Sequence, residues 1–364
     1  MKLLAFYLPQ YHTIPENDMW WGKGFTEWSN VKKTKAIFKN QSQPKVPLNN
    51  NYYNLMDKST VDWQTGLMKE YGIYGFCYFH YWFNGKKLLE KPAENLLKWT
   101  DIDQPFCFAW ANVTWARTWT AVEGAVTTWI SSDIKKSEKG ILIKQTYGIE
   151  KNWREHYSYL SQFFKDERYI KVDNKPMLLI YHLNDIACAK EMFALWNTLA
   201  IQDGFFGIHI VSINETPQSN EYVEAVARYG NYTKYDYHFW RQTYNSLIYR
   251  LKLPFNKKPE ILNYKTVWKN MIKEAPLDRI KTYPGAVVTY DETPRKGRQA
   301  CFIEGASPEL FEKYLRLQIK RAEQVYHTEY IFIDAWNEWG EGNYLEPDTE
   351  HQYAYLEAVK NAIK

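Results

Sequence analysis

Two glutamates three residues apart, Glu338 and Glu341, are the side chains whose type and spacing best suit catalysis in this sequence. They lie in the stretch IFIDAWNEWGEGNYLEPD, residues 331–348, directly after an apolar run typical of a buried strand. Glycoside hydrolysis needs two such groups, one that protonates the leaving oxygen and one that attacks or activates the attacker. Trp336 and Trp339 flank the acids, and an acid among indole rings has its ionised form desolvated, which raises its pKa toward that of a general acid.

A second pairing of acids competes with this one. Glu215 follows Asn214 at the end of another apolar run, so Glu215 and Glu338 could serve as acid and nucleophile from different strands. The alternative for Glu341 is a capping role, and Glu346 stays open between a surface and a functional position. Spacing along the chain does not measure these separations, so both pairings stand.

The elements that would position these acids are eight apolar runs separated by helical segments. The runs are 2–9, 72–82, 105–112, 175–182, 207–215, 235–239, 285–291 and 330–339, and the helices are 59–72, 153–166, 189–203 and 307–324. Near-continuous apolar strands are typical of a parallel sheet covered on both faces, and Ser59 and Ser307 suit helix N-caps. We therefore predict an α/β fold of the (β/α)8 TIM-barrel type, in preference to an open doubly wound sheet, since no GxGxxG turn follows the first strand.

In such a barrel, function lies at the C-terminal ends of the strands. Segments 10–58 and 113–150 follow the first and third predicted strands and are too long for simple turns, so we expect long βα loops on that face. Segment 240–284 precedes the seventh strand. We find no linker or repeat, so residues 1–364 are expected to form a single catalytic domain.

Polar and aromatic residues recur at these strand ends and predict a polar pocket with aromatic walls. The candidate substrate-binding residues are Tyr7, Gln10, His12, His80, Tyr81, Trp110, Asn112, Tyr181, Glu215, His238, Asp291, Trp336 and Asn337. Glu27 and Trp28, in the first long loop, are expected to close over a sugar. Each histidine alone would be better explained as structural; their convergence on one rim is the argument.

The composition of the chain favours some classes of binding partner and argues against others. Sixteen Trp and 29 Tyr suit both apolar packing and stacking on sugar rings. The net charge of +4 is spread along the chain without a block of like charge, so we expect no nucleic-acid partner and no electrostatic attraction to a membrane surface. No apolar stretch reaches the length of a membrane span, and the N-terminus lacks the pattern of a signal peptide, which together predict a cytoplasmic protein.

Two other chemistries are weaker. The histidines could ligate a cation, but no HxH or HExxH spacing occurs and the four cysteines form no CxxC pair, so we expect neither a metal nor another cofactor. Asp101 and Asp103 form a DxD, which holds a metal–diphosphate in many transferases. This DxD precedes the third predicted strand, which places it on the bottom face as a solvated turn.

Several stretches together resemble a known family. FYLPQYHTIPENDMWWGKGFTEWSNV (6–31), YGFCYFHYWFNGKKLLEKP (74–92), FAWANVTWARTW (108–119) and AWNEWGEGNYLEP (335–347) resemble the WbsX-like proteins, which are related to glycoside hydrolase family 99, the endo-α-mannosidases and endo-α-mannanases. YPGAVVTYDETPRKG (283–297) matches less closely. The resemblance covers nearly the whole chain.

The resemblance implies a retaining enzyme acting on α-linked glycans. By the family's W-N-E-W-x-E-G motif, Glu338 would deprotonate the substrate's own 2-hydroxyl, which attacks the anomeric carbon to give a 1,2-anhydro sugar. Glu341 would act as general acid and then as the base that activates water. Gly340 stands where the hydrolases typically have His, which puts the contacts beside the acid in question.

The function predicted from these observations is a retaining, mannoside-like glycoside hydrolase with an oligo- or polysaccharide substrate, connected with bacterial surface polysaccharide metabolism. The alternatives are a glycosyltransferase or transglycosidase of O-antigen or capsule biosynthesis, and a barrel that binds glycan without turnover. The sugar, its linkage, endo or exo action and the oligomeric state are left open.

Overall fold

The computed structural model of the chain describes residues 1–39, 41–116, 140–217, 221–251 and 259–364. Much of the long segment that the sequence places after the third strand, 113–150, therefore lies outside the described residues.

The core of the fold is a parallel sheet that curls into a barrel. Its strands are β1 Lys2–Tyr7, β2 Gly75–Phe83, β3 Phe106–Trp110, β4 Lys175–Ile180, β5 His209–Ile213, β6 Val223–Ala227, β7 Lys281–Tyr283, β8 Gly285–Val287 and β9 Tyr330–Asp334. The order across the sheet is β7, β6, β5, β4, β3, β2, β1, β9, β8. Since only Pro284 separates β7 from β8, the two share one barrel position and close the ring between β6 and β9. The predicted (β/α)8 barrel is confirmed.

One predicted strand is wrong. The sixth barrel strand is Val223–Ala227, which pairs in parallel with β5 and β7, and not the run 235–239. Residues 235–238 instead form a turn, and a helix begins at Phe239. The apolar stretch VEAVA is short and carries a Glu, which made it the weaker pattern in the sequence, although both of its neighbours bury it.

Helices and short strands surround the barrel. The helices are α1 Pro15–Trp21, α2 Glu27–Lys33, α3 Lys58–Glu70, α4 Lys91–Lys98, α5 Glu150–Phe164, α6 Ala189–Gln202, α7 Phe239–Leu251, α8 Tyr264–Lys273, α9 Thr293–Lys296, α10 Pro308–Gln324 and α11 Ala354–Ile363. The short strands are Lys86–Leu88, Trp115–Ala116, Ile141–Ile143, Lys171–Val172, Glu260–Asn263, Cys301–Glu304, Asn337–Glu338 and Asn343–Tyr344. Ser307 caps α10 by accepting a hydrogen bond from the Leu310 amide, as predicted, whereas α3 begins before Ser59, after Asp57.

Aromatic rings fill the barrel interior. The ring of Phe6 on β1 lies 5.5 Å from that of Phe79 on β2 and 5.6 Å from that of Phe332 on β9. The ring of Tyr229, just after β6, lies 4.2 Å above Phe6. Since side chains of alternate strands stack in layers inside such barrels, these rings form a solid floor beneath the C-terminal face. Within the described residues, no helix is long and apolar enough to cross a membrane.

Candidate active site

The two glutamates of the starting motif lie at the two ends of one tight turn. Asn337–Glu338 pairs antiparallel with Asn343–Tyr344, and the turn Trp339–Glu341 joins them. Gly342 ends the turn with φ of 54°, and a Cβ there would lie 2.9 Å from the Cβ of Asp291. Glycine therefore fits both the backbone conformation and the close approach.

Hydrogen bonds to the end of β1 fix this hairpin on the barrel. The Trp336 amide donates to the Phe6 carbonyl at 2.8 Å. The Asn337 side chain accepts from the Leu8 amide at 2.7 Å and donates to the Leu8 carbonyl at 3.1 Å. The Asn337 side chain therefore binds the backbone that follows β1 and fixes the position of the hairpin.

A buried arginine joins three carboxylates at the centre of the site. Arg295 Nε lies 2.9 Å from Glu27 Oε1, and its Nη2 lies 3.0 Å from Glu338 Oε2. Its Nη1 also contacts Glu341 Oε1. Arg295, Glu27 and Glu338 are almost fully buried, whereas the Glu341 side chain keeps about 15% of its surface exposed. Glu341 is thus the member of the cluster with the best access to a ligand.

Gly340 makes room for this cluster. A Cβ on residue 340 would lie 1.8 Å from Glu27 Oε1 and 2.8 Å from Arg295 Nε. Glu27 and Arg295 therefore occupy the space that any side chain at 340 would need. The absence of His at this position is coupled to the presence of the Glu27–Arg295 ion pair.

The electrostatics favour a shared proton. Burial raises the pKa of Glu338 from 4.5 to about 8; the Arg295 charge opposes this rise and the Glu341 charge adds to it. Burial also raises the pKa of Glu341, again against the effect of Arg295. Burial and the mutual repulsion of Glu338 and Glu341 therefore oppose ionisation of both carboxyl groups at once, against the effect of Arg295 and, at Glu341, of Lys296. A retained proton is what a general acid requires.

A cavity of about 140 Å³ opens onto Glu341 at the C-terminal face. Its walls come from the ends of β4, β6, β8 and β9 and from α9: Tyr181, Tyr229, Gly230, Asn231, Tyr290, Glu292, Arg295, Lys296, Asp334 and Glu341. Asp334 accepts a hydrogen bond from Tyr232, and burial together with the charges of Glu341 and Glu338 raises its pKa. The cavity therefore combines aromatic walls with an acidic floor.

Several predicted residues reach this region. Tyr181 lines the cavity. Burial raises the pKa of the Tyr81 hydroxyl, and the charge of Glu338 adds to the rise. The ring of Trp28 packs 5.4 Å from that of Trp339, and the Gln10 carbonyl accepts from the Glu27 amide at 3.0 Å. These contacts bring the first long loop to the motif, although Glu27 lies inside the charge cluster rather than over it.

Other predicted residues are held elsewhere. The Tyr7 hydroxyl donates to Gln64 of α3 at 2.7 Å, on the outer side of the barrel. His80 Nε2 lies 2.9 Å from His156 Nε2 of α5, and burial lowers the His80 pKa to about 3. The Trp110 ring packs edge-on against His156. These side chains join the barrel to its helices.

The rim between β4 and β5 forms a network of its own. Asn112 accepts from the His182 amide at 2.8 Å and donates to its carbonyl at 2.7 Å. Glu215 lies 3.2 Å from His182 Nδ1 and accepts from the Asn184 amide at 2.7 Å. Burial alone would raise the Glu215 pKa, but these hydrogen bonds outweigh it and lower the pKa. Glu215 is thus an ionised anchor, and the structure does not place it in the cluster around Arg295.

Asp291, another predicted binding residue, holds loops in place. Asp291 accepts from Gln41 at 2.9 Å, from Gln43 at 2.8 Å and from the Thr293 amide at 2.9 Å, and so fixes the start of α9. Its own amide donates to the Glu341 carbonyl at 2.6 Å. Asp291 thereby aligns α9, which carries Arg295, with the motif.

Two histidines and two acids of the motif region complete the set. His12 is buried with Nδ1 2.9 Å from the Pro9 carbonyl, and burial lowers its pKa to about 4. His238 is partly exposed near Asp236, in the turn before α7. Glu346, which stayed open, is buried and accepts from Trp339 at 2.6 Å and from Gln64 at 2.7 Å, while Glu350 pairs with Lys45 at the surface.

Sequence reasoning missed Arg295, Asp334 and Tyr229. Arg295 lies in the stretch YDETPRKG, where Asp291 and Pro294 indicate the start of a short helix directly after a strand. An arginine in its first turn, at the active-site end of a barrel, was the available signal. Tyr229 was hidden by the misplaced sixth strand. Within the described ranges, no group of three or more His, Cys, Asp and Glu side chains could hold a metal ion.

Comparison with known proteins places the chain. A family model described as Glycosyltransferase WbsX matches residues 3–359. The chain belongs to the WbsX family. Two curated relatives, both named Uncharacterized protein WxcX and both from Xanthomonas campestris pv. campestris, are 32% and 31% identical over 99% of this chain. The match covers 49% of each relative, so the chain spans about half the length of these WbsX relatives.

Solved structures share the fold of this WbsX chain. The GH99 endo-alpha-mannosidase from Bacteroides thetaiotaomicron superimposes with a TM-score of 0.55 over 99% of this chain and 96% of that one, at 13% identity. A structure described as a glycoside hydrolase-like protein gives 0.56 over 100% and 94%, also at 13% identity. At these identities the likeness concerns the barrel fold alone.

Proposed function

We propose that this WbsX chain cleaves α-linked, mannoside-like glycans with retention of configuration, using Glu338 and Glu341. The observation that carries the proposal is the pair of buried glutamates bridged by Arg295 beside the cavity. A retaining mechanism needs one group that donates a proton and one that supports nucleophilic attack. A cluster that holds one shared proton suits this division of labour.

Access to the cavity supports the roles that the family resemblance implies for the two acids. Glu341 lines the cavity, so it protonates the leaving glycosidic oxygen and then removes a proton from the incoming water. In the reactive form the shared proton is on Glu341, and Glu338, which lies deeper and is ionised in that form, takes the proton of the substrate's 2-hydroxyl, whose oxygen attacks the anomeric carbon as the glycosidic bond breaks. The product of this step is a 1,2-anhydro sugar, which water opens. Arg295 positions both carboxylates, and its ion pair with Glu27 leaves Glu338 and Glu341 to share the proton.

The test is hydrolysis of α-glycosides whose leaving groups need protonation, mannosides first, by the full chain and by Glu338→Gln and Glu341→Gln. We expect each variant to lose about 10²–10⁴-fold in rate, the usual effect of removing an acid–base group. Glu350→Gln is the matched control, because Glu350 pairs with Lys45 at the surface, and it should keep full activity. Hydrolysis that survives in both motif variants would contradict the proposal.

The description of the family favours a second candidate, transfer of the sugar to a glycan acceptor in surface polysaccharide metabolism. The same acid pair would serve, since an acceptor hydroxyl can replace water when the intermediate opens. Product analysis with added oligosaccharide acceptors separates transfer from hydrolysis. Turnover that requires a nucleotide sugar and a divalent metal would instead indicate a conventional glycosyltransferase, and glycan binding without any turnover would indicate a binding barrel.

A further inference from the structure

Helix α7, Phe239–Leu251, carries an unusual set of exposed apolar side chains. Trp240 is 82% exposed, and Phe239, Leu247 and Leu251 are each at least half exposed. Trp240, Leu247 and Leu251 are seven and four residues apart, which places them on one face of a helix. Single exposed apolar residues are ordinary, but a stripe of them along a helix marks an interaction surface.

The helix does not use this stripe to build the core. Among its side chains that the structure describes, none is buried. Helix α5, of similar length, instead buries Leu160, Phe163 and Phe164 against the barrel. The described side chains of α7 therefore do not contribute to the barrel core.

The surrounding charge indicates what covers it. In the sequence, residues 237–259 contain five Lys or Arg and no Asp or Glu. This local excess of basic residues runs against the expectation that charge is spread along the chain without a block of like charge, on which the expected lack of attraction to a membrane surface was based. A helix with Trp and Leu on one face, in a stretch of sequence rich in Lys and Arg, is typical of segments that lie in the interface of an anionic bilayer.

The location relates the helix to the candidate active site. Tyr229, Gly230 and Asn231 line the cavity, and α7 begins at Phe239 on the same connection after β6. Phe239 is eight positions after Asn231, so the helix starts within about 28 Å of the cavity wall even if the chain is fully extended. A surface that holds α7 would therefore lie near the cavity mouth.

We infer that α7 docks the chain on the surface of an anionic lipid bilayer. A glycan strand is the weaker occupant, because Leu247 and Leu251 are aliphatic and offer no ring for stacking on sugars. Burial of the stripe supplies apolar free energy, and the basic residues are attracted to anionic headgroups. This binding does not depend on the proposed glycosidase activity.

The experiment is vesicle flotation of the full chain, with phosphatidylcholine alone or with about one third phosphatidylglycerol. The chain should float with the anionic vesicles, and raised salt should weaken this binding, because salt screens attraction between exposed charges. Trp240→Ser/Leu247→Ser should reduce binding by roughly tenfold or more, since it removes two large apolar side chains. Phe206→Ser is the matched control: Phe206 is 69% exposed on the opposite face of the barrel, and its variant should float like the wild type.

Thermal unfolding of each variant verifies that the fold is intact, and hydrolysis of a soluble aryl glycoside reports on the active site separately. The inference is overturned if the wild-type chain does not float, or if the double variant floats equally well. It is also overturned if the chain self-associates without vesicles and the double variant abolishes that association, since α7 would then be a protein interface.

Discussion

Replacing Gly340 with Ala tests the packing of the charge cluster. The added Cβ would lie 1.8 Å from Glu27 Oε1, whereas ordinary contact requires a separation of about 3.5 Å. The Glu27 carboxylate therefore has to move by more than about 1 Å. Glu27 is fully buried and its bond to Arg295 Nε is 2.9 Å long, so this movement breaks the ion pair. Breaking a buried pair by removing a partner costs about 3–5 kcal/mol. Arg295 keeps Glu338 and Glu341, so we expect a loss of about 2–3 kcal/mol in the free energy of unfolding.

The double-mutant cycle with Glu27→Ala isolates this effect. In the Glu27→Ala background the clashing oxygen is gone, and Gly340 does not have a left-handed φ. Gly340→Ala should then cost clearly less than in the wild type, about 1 kcal/mol or less, because only Arg295 Nε, 2.8 Å from the added Cβ, still has to shift. Urea unfolding of the four proteins gives the coupling energy. Equal costs of Gly340→Ala in both backgrounds, or a cost below about 0.5 kcal/mol in the wild type, would refute the coupling of Gly340 to Glu27.

Three further predictions concern the network, the proton and the DxD. Gln64→Ala removes one hydrogen bond to the Tyr7 hydroxyl and one to Glu346, and it should lower the free energy of unfolding in urea by about 2–4 kcal/mol. The control Gln162→Ala, on the exposed side of α5, should change it by less than about 0.5 kcal/mol. Similar effects of the two variants would contradict the network. In ¹³C-labelled protein, the carboxyl signal of Glu338 should titrate near pH 8 and should move to lower pH in Glu341→Gln, because a neighbouring negative charge is removed. Since the pKa of Glu338 in the folded state lies above the unfolded 4.5, its contribution to stability is complete below about pH 4.5 and is lost as the pH rises through 8. A Glu338 signal that does not shift in the variant would contradict the coupling. Asp101→Asn/Asp103→Asn breaks only surface pairs with Lys58 and Lys69, so it should leave turnover and any metal dependence unchanged in the activity assay, and loss of metal-dependent transfer would restore the DxD as a functional site.

The barrel was predictable because seven of its eight strand positions carry strong local patterns. Strands such as Gly75–Phe83 are continuous apolar runs, buried at every residue, and such runs indicate a doubly covered parallel sheet. Strand β6 was missed because its burial comes from pairing with both neighbouring strands and not from its own five residues, and the run 235–239, which was predicted instead, is itself short and polar. A local sequence pattern reflects the preference of a segment for strand structure, whereas its pairing in the sheet depends on the neighbouring strands.

The candidate site was predictable where motif and strand end coincide, as they do for Glu338 and Glu341. The cluster around Arg295 was not, because Glu27 and Arg295 are 268 residues apart and meet only through the closed barrel. Gly340 could be read in the sequence as a departure from the related hydrolases. Its reason, the space taken by Glu27, became visible only with both loops in place.

The most direct test of the account is the dependence of the hydrolysis rate on the leaving group in Glu341→Gln. If Glu341 protonates the glycosidic oxygen, the variant should be slowed severely on substrates with poor leaving groups and much less on aryl glycosides whose leaving groups depart without protonation. The wild type should show a weaker dependence across the same series. An equal loss of rate for every leaving group, or no loss at all, would contradict the role of Glu341 as the general acid.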